Sequence, residues 1–340
     1  MDHLHRISSM RFGRCRTGLG RLVALAMLFC SSVFVVPAQA QTWPSKPVRV
    51  IVPFAPGGAT DIMARAVAQR MSENLGQPFV VENRAGATGN VGSDLVAKSA
   101  PDGHMLLVSG AVNFAINQHI FRNMPYSPER DLTGISVLGT YANALIVNKD
   151  LPVNNLKELI AYVGERPGKL NYGSGGVGGT GHLSMELFLQ MSGLKVAHIA
   201  YKGNLPAMTD LLANHIQMTF DALPTYVSNL REGRVRVLGV STPTRIAAFP
   251  DIPTIAEAGV PGFDATAWNA MAVSSRTPPE LLRRINAEAV KALRDPAVAK
   301  RIADLGFTPV AQSLEETRAY FASESAKWKK VAENGRIVVD

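Results

Sequence analysis

Thiols are nearly absent from this 340-residue chain: Cys15 and Cys30 are its two cysteines, and both fall in the first thirty positions. Beyond them a disulfide, a cysteine nucleophile and a thiolate-held metal are excluded together. A membrane-spanning run is also missing, because the charge-free segment 22–36 is fifteen residues long, short of the ~20 that a spanning helix needs. His104, His119, His182, His198 and His215 include no pair at i, i+3 or i, i+4, so a helical zinc site has no ligands. No Gly-x-Ser-x-Gly elbow exists, since Tyr172 stands two residues before Ser174. Residues 164–169 have the wrong spacing for a Walker loop and lack Ser or Thr after the lysine. Nucleophilic catalysis and nucleotide hydrolysis therefore have no motif to stand on.

What is present is globular in composition: 46% hydrophobic, 18% charged, 7% aromatic, with 29 Gly, 21 Pro and a formal net charge of +8. Cores stop growing near ~250 to 300 residues, so this length predicts two domains. Five arginines (Arg6, Arg11, Arg14, Arg16, Arg21) against Asp2 precede the apolar run 22–36, and Pro37-Ala38-Gln39-Ala40 ends it. That three-part pattern predicts a signal peptide over 1–40 cleaved after Ala40, with Met10 as an alternative start. The stretch has no Arg-Arg pair, which points to export of the unfolded chain to the periplasm and so to no cofactor carried from the cytoplasm. Cys30 follows the bulky Phe29, which argues against lipid anchoring. Losing the leader removes four of the eight net positive charges. The remaining Lys and Arg are scattered, with no aromatic residues interleaved along a basic stripe, which excludes nucleic acid as the expected partner and mildly favours small anions.

From Trp43 onward, short β-rich runs alternate with longer helical ones, the pattern of an α/β protein. Strands are expected at 48–52, 79–81, 105–108, 144–147, 170–172, 196–201, 216–221 and 235–240. Helices are expected at 61–75, 90–98, 156–163, 182–191, 207–213 and 225–231. Thr277-Pro278-Pro279-Glu280 and Ser313-Leu314-Glu315-Glu316 read as capping boxes that open C-terminal helices.

Residues 173–178 satisfy G-x-G-x-x-G, but the following strand ends at Tyr201-Lys202 without the acid that would hold a ribose, so a dinucleotide site is rejected. What remains is loop physics: glycines let backbone N–H groups at a helix start face an anion. Pro53-Phe54-Ala55-Pro56-Gly57-Gly58-Ala59-Thr60 is a second such loop, at the first helix, and one in each half could clamp one carboxylate. Asp61 reads either as a cleft acid or as a first-turn carboxylate, with Thr60 available as a cap. Asp221 ends a strand at the edge where open sheets bind ligands, and either binds there or caps the helix near Thr225. His182 opens the helix after the glycines and either faces a ligand or packs beside it.

Several segments together carry a family resemblance: 53–58 with Asp61 and Arg65, Glu82-Asn83-Arg84-Ala85-Gly86-Ala87, Pro101-Asp102-Gly103, and 172–174 through His182-Leu183. Tyr201-Lys202-Gly203, Pro206-Ala207, Asp210-Leu211, and Pro253-Thr254 with Glu257-Ala258-Gly259 continue it in order. The chain resembles the Bug (TctC-like) family, periplasmic substrate-binding receptors of tripartite tricarboxylate transporters; His104 stands where that family usually has an aromatic. The resemblance implies an α/β two-lobed periplasmic-binding-protein (Venus flytrap) fold, each lobe a mostly parallel sheet flanked by helices. Crossovers near 141–147 and 265–273 would make lobe 1 of 41–143 plus 267–340 and lobe 2 of 144–266. It implies that backbone amides of the two glycine loops, with bridging waters, grip one carboxylate; the loops are Phe54, Ala55, Pro56, Gly57 and Gly58, and Gly178, Gly179, Thr180 and Gly181, with Thr180 supplying a hydroxyl. Asp61, Ser109, Asn113, His182, Tyr201 and Asp221 would complete the site. It further implies a non-enzymatic receptor whose partners are a small organic acid or related amide and the permease subunits of the transporter; a monomer is the simplest expectation for a clamp that must open, and neither metal nor cofactor is expected. The competing readings are a secreted α/β enzyme using His182 and Asp221, and a ligand sensor for a membrane signalling partner.

Overall fold

The computed structural model describes residues 43–335, 338 and 339, so the expected leader and cleavage site lie outside the described residues. The described residues contain eleven strands: β1 (Val48–Val52), β2 (Phe79–Asn83), β3 (Met105–Gly110), β4 (Leu132–Tyr141), β5 (Asn143–Asn148), β6 (Asn171–Ser174), β7 (Ala197–Ala200), β8 (Met218–Ala222), β9 (Val235–Val240), β10 (Ala267–Ser274) and β11 (Phe307–Pro309). They form a six-stranded sheet in the order β11-β4-β10-β3-β1-β2 and a five-stranded sheet in the order β7-β6-β8-β5-β9. The chain steps from the first sheet to the second through one residue, Ala142, between β4 and β5, and it returns at β10.

β1 reads Val-Arg-Val-Ile-Val because both faces of the first sheet are covered: Val48, Val50 and Val52 enter one core and Ile51 the other. The first core is closed by helix Ala59–Leu75, which buries Met63, Val67 and Met71 at four-residue spacing. That helix ends where Gly76 turns left-handed (φ 65°) and donates its N–H to the Ser72 carbonyl. The C-terminal helices return to this lobe: Pro279–Leu293 adds Ile285, Ala289 and Leu293 to the same core. Helix Leu314–Gly335 closes the other face, where Phe321 stacks on Phe114 with ring centroids 4.7 Å apart. There the indole N–H groups of Trp268 and Trp328 both donate to Oε2 of the buried Glu324, at 2.7 and 3.1 Å. In the second lobe, Phe188, Phe220 and Phe263 cluster on one face of the sheet and Leu211, Leu223 and Tyr226 on the other.

Two local expectations are corrected. The sheets are mixed rather than mostly parallel: β1 pairs in parallel with β2 and β3, and β6 with β7 and β8, but β10 runs antiparallel to β3 and β4, β11 to β4, and β5 to β8 and β9. Every antiparallel pair includes a strand at a crossing between lobes, β4, β5 or β10, whereas the βαβ strands pair in parallel. The Thr277 capping box does not form, because Pro278 takes the N-cap position and Thr277 lies one residue too early. Ser313 and Glu316 do form theirs, and Thr254 and Glu257 form a box that was not anticipated. Among the described residues no helix is long and apolar enough to cross a membrane.

Candidate functional site

A cavity of about 580 Å³ lies between the two sheets, walled mainly by loops at strand ends. Five helices begin at this wall, with Gly58, Gly89, Gly179, Gly203 and Ala222 as their N-cap residues, and none of the five supplies a side-chain acceptor. Side-chain caps do occur in this protein, at Asn155, Thr254, Asp295 and Ser313, all away from the cavity. At Ala59–Leu75, Thr180–Ser192 and Asn204–Leu212 the first-turn N–H groups meet no acceptor among the described residues and, backed by the positive dipole end, are donors for an anion. At the other two starts, Asn90 and Val91 donate to the Ala87 and Gly86 carbonyls, Leu223 donates to Ala142 and Pro224 has no N–H. The cleft therefore concentrates positive potential without a buried cationic side chain.

The first-lobe loop is held by Asp61, which is 4% exposed. Its Oδ2 accepts from the Gly57 N–H (3.0 Å) and Arg65 Nε (2.9 Å), and its Oδ1 accepts from Asn83 Nδ2 (2.9 Å). Asn83 also donates to the Phe54 carbonyl. Burial alone would raise the Asp61 pKa, but the bonds from Arg65, Gly57 and Asn83 outweigh it and hold the carboxyl below its usual range. Asp61 lines the cavity with both oxygens already engaged, so it shapes the loop. Thr60 does not cap the helix; its Oγ1 accepts from Asn269.

The second-lobe loop rests on a column of rings. His182 stacks on His198 (centroids 4.3 Å apart), which stacks on Tyr172 (4.6 Å). His182 Nδ1 accepts the Gly178 N–H, His198 Nε2 meets Ser174 Oγ at 2.7 Å, and the Tyr172 hydroxyl donates to Glu186. Burial lowers both histidine pKa values, to about 4 for His198, so the column is neutral at neutral pH. Two glycines here are constrained: a side chain on Gly178 would be strained at φ +78°, and a Cβ on Gly181 would lie 2.2 Å from the Phe220 carbonyl oxygen.

Of the residues singled out from sequence, Phe54, Ala55, Pro56, Gly57, Gly58, Asp61, Gly179, Thr180, Gly181, His182 and Tyr201 line the cavity. Ser109, Asn113, Gly178 and Asp221 stand behind the wall. Ser109 donates to Asn113, and Asn113 and Asn117 both donate to the Thr88 carbonyl, which ties down a loop where Ala87 and Thr88 are left-handed (φ 45° and 50°). The Tyr201 hydroxyl is engaged with Asp210. Asp221 accepts from Asn204 and from the Ala222 N–H, and burial pushes its pKa up to about 7. It neither faces the cleft nor caps the helix near Thr225; it orients Asn204, which does line the cavity. Sequence reasoning missed Asn204, Met208, Val112, Tyr141 and the 85–89 loop as wall residues. The loop had a signal, in Gly86 and Gly89 flanking a helix start. Val112 and Met208 had none, since an apolar residue on a helix reads the same whether it faces a core or a cleft.

The lobes touch across the cavity. Thr88 Oγ1 donates to the Val177 carbonyl at 3.4 Å, and a Cβ on Gly203 would sit 3.7 Å from that of Ala55. A ligand in this space would be gripped from both sides.

The sequence matches the model of the TctC family, "Tripartite tricarboxylate transporter family receptor", over residues 63–336. It is 36% identical over 313 residues to protein BugT of Bordetella pertussis, covering 92% of this chain and 96% of that one. Among solved structures it is similar to R. palustris Rpa4515 with adipate (TM-score 0.85, 36% identity, 87% of this chain and 99% of that one). It is also similar to MatC from Rhodopseudomonas palustris with bound malate (TM-score 0.80, 31% identity, 85% and 99%). The chain belongs to the TctC family of tripartite tricarboxylate transporter receptors, and it is a two-lobed periplasmic solute-binding receptor rather than an enzyme.

Proposed function

We propose that this receptor captures a small carboxylate between its lobes and delivers it to the membrane permease subunits of a tripartite transporter. The observation that carries the ligand class is the convergence on one cavity of three uncapped helix starts, those of Ala59–Leu75, Thr180–Ser192 and Asn204–Leu212, whose first-turn N–H groups are offered to a single anionic group or two neighbouring ones. Adipate in Rpa4515 and malate in MatC are ligands of that chemistry. In this reading the chain is exported by a leader over 1–40, the lobes are 41–143 plus 267–340 and 144–266, and the receptor works as a monomer, since opening requires its lobes to move freely.

The site reads as follows: Gly58 with Gly179, Thr180 and Gly181 supplies donors, Phe54 and Pro56 shape the entrance, and Asp61, Gly178, His182 and Asp221 position those groups. Closure follows from differential binding, because donors of the second lobe reach the ligand only when the lobes meet. A micromolar ligand has about 8 kcal/mol available, enough to favour the closed form over an open one by a few.

The test is a thermal-shift and calorimetric panel of organic acids, amino acids and their amides on residues 41–340, with each hit recovered for mass spectrometry. A saturable rise in melting temperature with the acid recovered intact supports the reading. Amides bound as tightly as their acids would refute the anionic class.

A further inference from the structure

We propose that Thr60 is a ligand-contacting hydroxyl whose donor direction is set by Asn269, a residue buried in β10. This deepens the carboxylate-receptor reading and rests on it. Asn269 is fully buried, and its Nδ2 donates to Thr60 Oγ1 at 2.9 Å, while its Oδ1 has no partner among the described residues. A buried amide is costly to keep, and one in a strand that otherwise reads Ala-Trp-x-Ala-Met-Ala-Val-Ser needs a reason.

The backbone is built around it. β10 shifts register against β4 between Asn269 and Ala270, an irregularity of the kind that re-aims a side chain beside a site. Both cross-strand partners of Asn269 are glycine, Gly110 on β3 and Gly139 on β4. Thr60, the second residue of its helix, lines the cleft. Its Oγ1 makes no bond to the carbonyl four residues back, as Thr209 makes to Leu205 and Thr317 to Ser313. With one lone pair of Oγ1 filled by Asn269, its proton has no acceptor among the described residues. The remaining direction is the cleft, where a carboxylate oxygen would accept it beside the uncapped N–H groups.

The second lobe has a comparable pair that stops short of the ligand. Asn143, on the other crossover strand, donates to Ser184 Oγ at 3.0 Å, and Ser184 does not line the cavity. It serves as a control for loss of a buried amide-to-hydroxyl bond.

The experiment titrates wild type, Thr60→Val, Thr60→Ser, Asn269→Asp and Ser184→Ala calorimetrically with the tightest acid among adipate, malate, benzoate and nicotinate. Thr60→Val keeps the shape and removes the donor, and Asn269→Asp turns the partner into an acceptor that draws the Thr60 proton away from the cleft. Both are expected to weaken binding at least tenfold, with Thr60→Ser and Ser184→Ala within threefold of wild type. Thr60→Val within threefold, or Thr60→Ser as weak as Thr60→Val, overturns the proposal and leaves the receptor reading intact. Asn269→Asp within threefold, with a weakened Thr60→Val, overturns the role of Asn269. Wild type that binds none of the four acids while binding their amides defeats the carboxylate reading itself, and this proposal with it.

Discussion

The Gly178 N–H donates to Nδ1 of His182, 3.2 Å away, so a wall loop of the cleft depends on one imidazole staying unprotonated. His182 in turn stacks on His198, and burial lowers both pKa values from 6.5, with Glu186 opposing the shift at His182 and His182 adding to it at His198.

Acid is therefore expected to loosen the site. A histidine whose folded pKa is depressed contributes stability that is complete above its unfolded pKa near 6.5 and is lost as pH falls toward the folded value, about 4 for His198. After allowance for partial exposure, the loss is on the order of 2 kcal/mol. Affinity measured from pH 7.5 to 4.5 should decline below pH 6.5 in wild type and less in His198→Phe, which keeps a ring in the stack. Equal profiles for the two would remove the column from the explanation.

Gly178→Val should abolish binding. The position is left-handed, and a Cβ there would lie 2.6 Å from Ile120 Cδ1, which reaches it from the other lobe. Strain of about 1 to 3 kcal/mol falls on the loop, and the steric block falls on closure. Calorimetry should show at least a hundredfold loss, with far-UV circular dichroism unchanged; wild-type affinity would sink the account of the loop.

Asp221→Asn should stabilise the protein at high pH and leave it nearly unchanged at low pH. The folded pKa is raised from 3.8 to about 7, chiefly by burial. That contribution to stability is fully present below the unfolded value and lost as pH rises through 7. A neutral amide avoids the charge, for a gain on the order of 2 kcal/mol at pH 8.5. Urea denaturation at pH 3.5 and 8.5 decides it, and an equal loss at both would mean that hydrogen-bond geometry outweighs charge.

Glu324→Leu should cost roughly 2 to 4 kcal/mol, because two buried indole N–H groups lose their shared acceptor. Ligand affinity at saturating folded protein should stay within threefold of wild type, since Glu324 does not line the cavity. A large affinity loss would show that the C-terminal helix takes part in closure.

Much of the site was legible locally. The glycine loops before helices Ala59–Leu75 and Thr180–Ser192 could be found because left-handed turns and uncapped helix starts have a composition of their own. Buried polar residues were harder. Asp221 and Asn113 are buried behind the wall, and a strand-end acid carries no mark of which side of the wall it will occupy.

The sequence by itself determined the alternation of strands and helices, the places where helices start without caps, and the family, because each depends on neighbours a few residues apart. Tertiary structure alone decided the mixed sheets and the pairing of Asn269 with Thr60, 209 residues away. It also decided which apolar side chains turned to the cleft instead of a core. Those outcomes depend on how strands cross between lobes, and no local pattern encodes the partner that a crossing strand will meet.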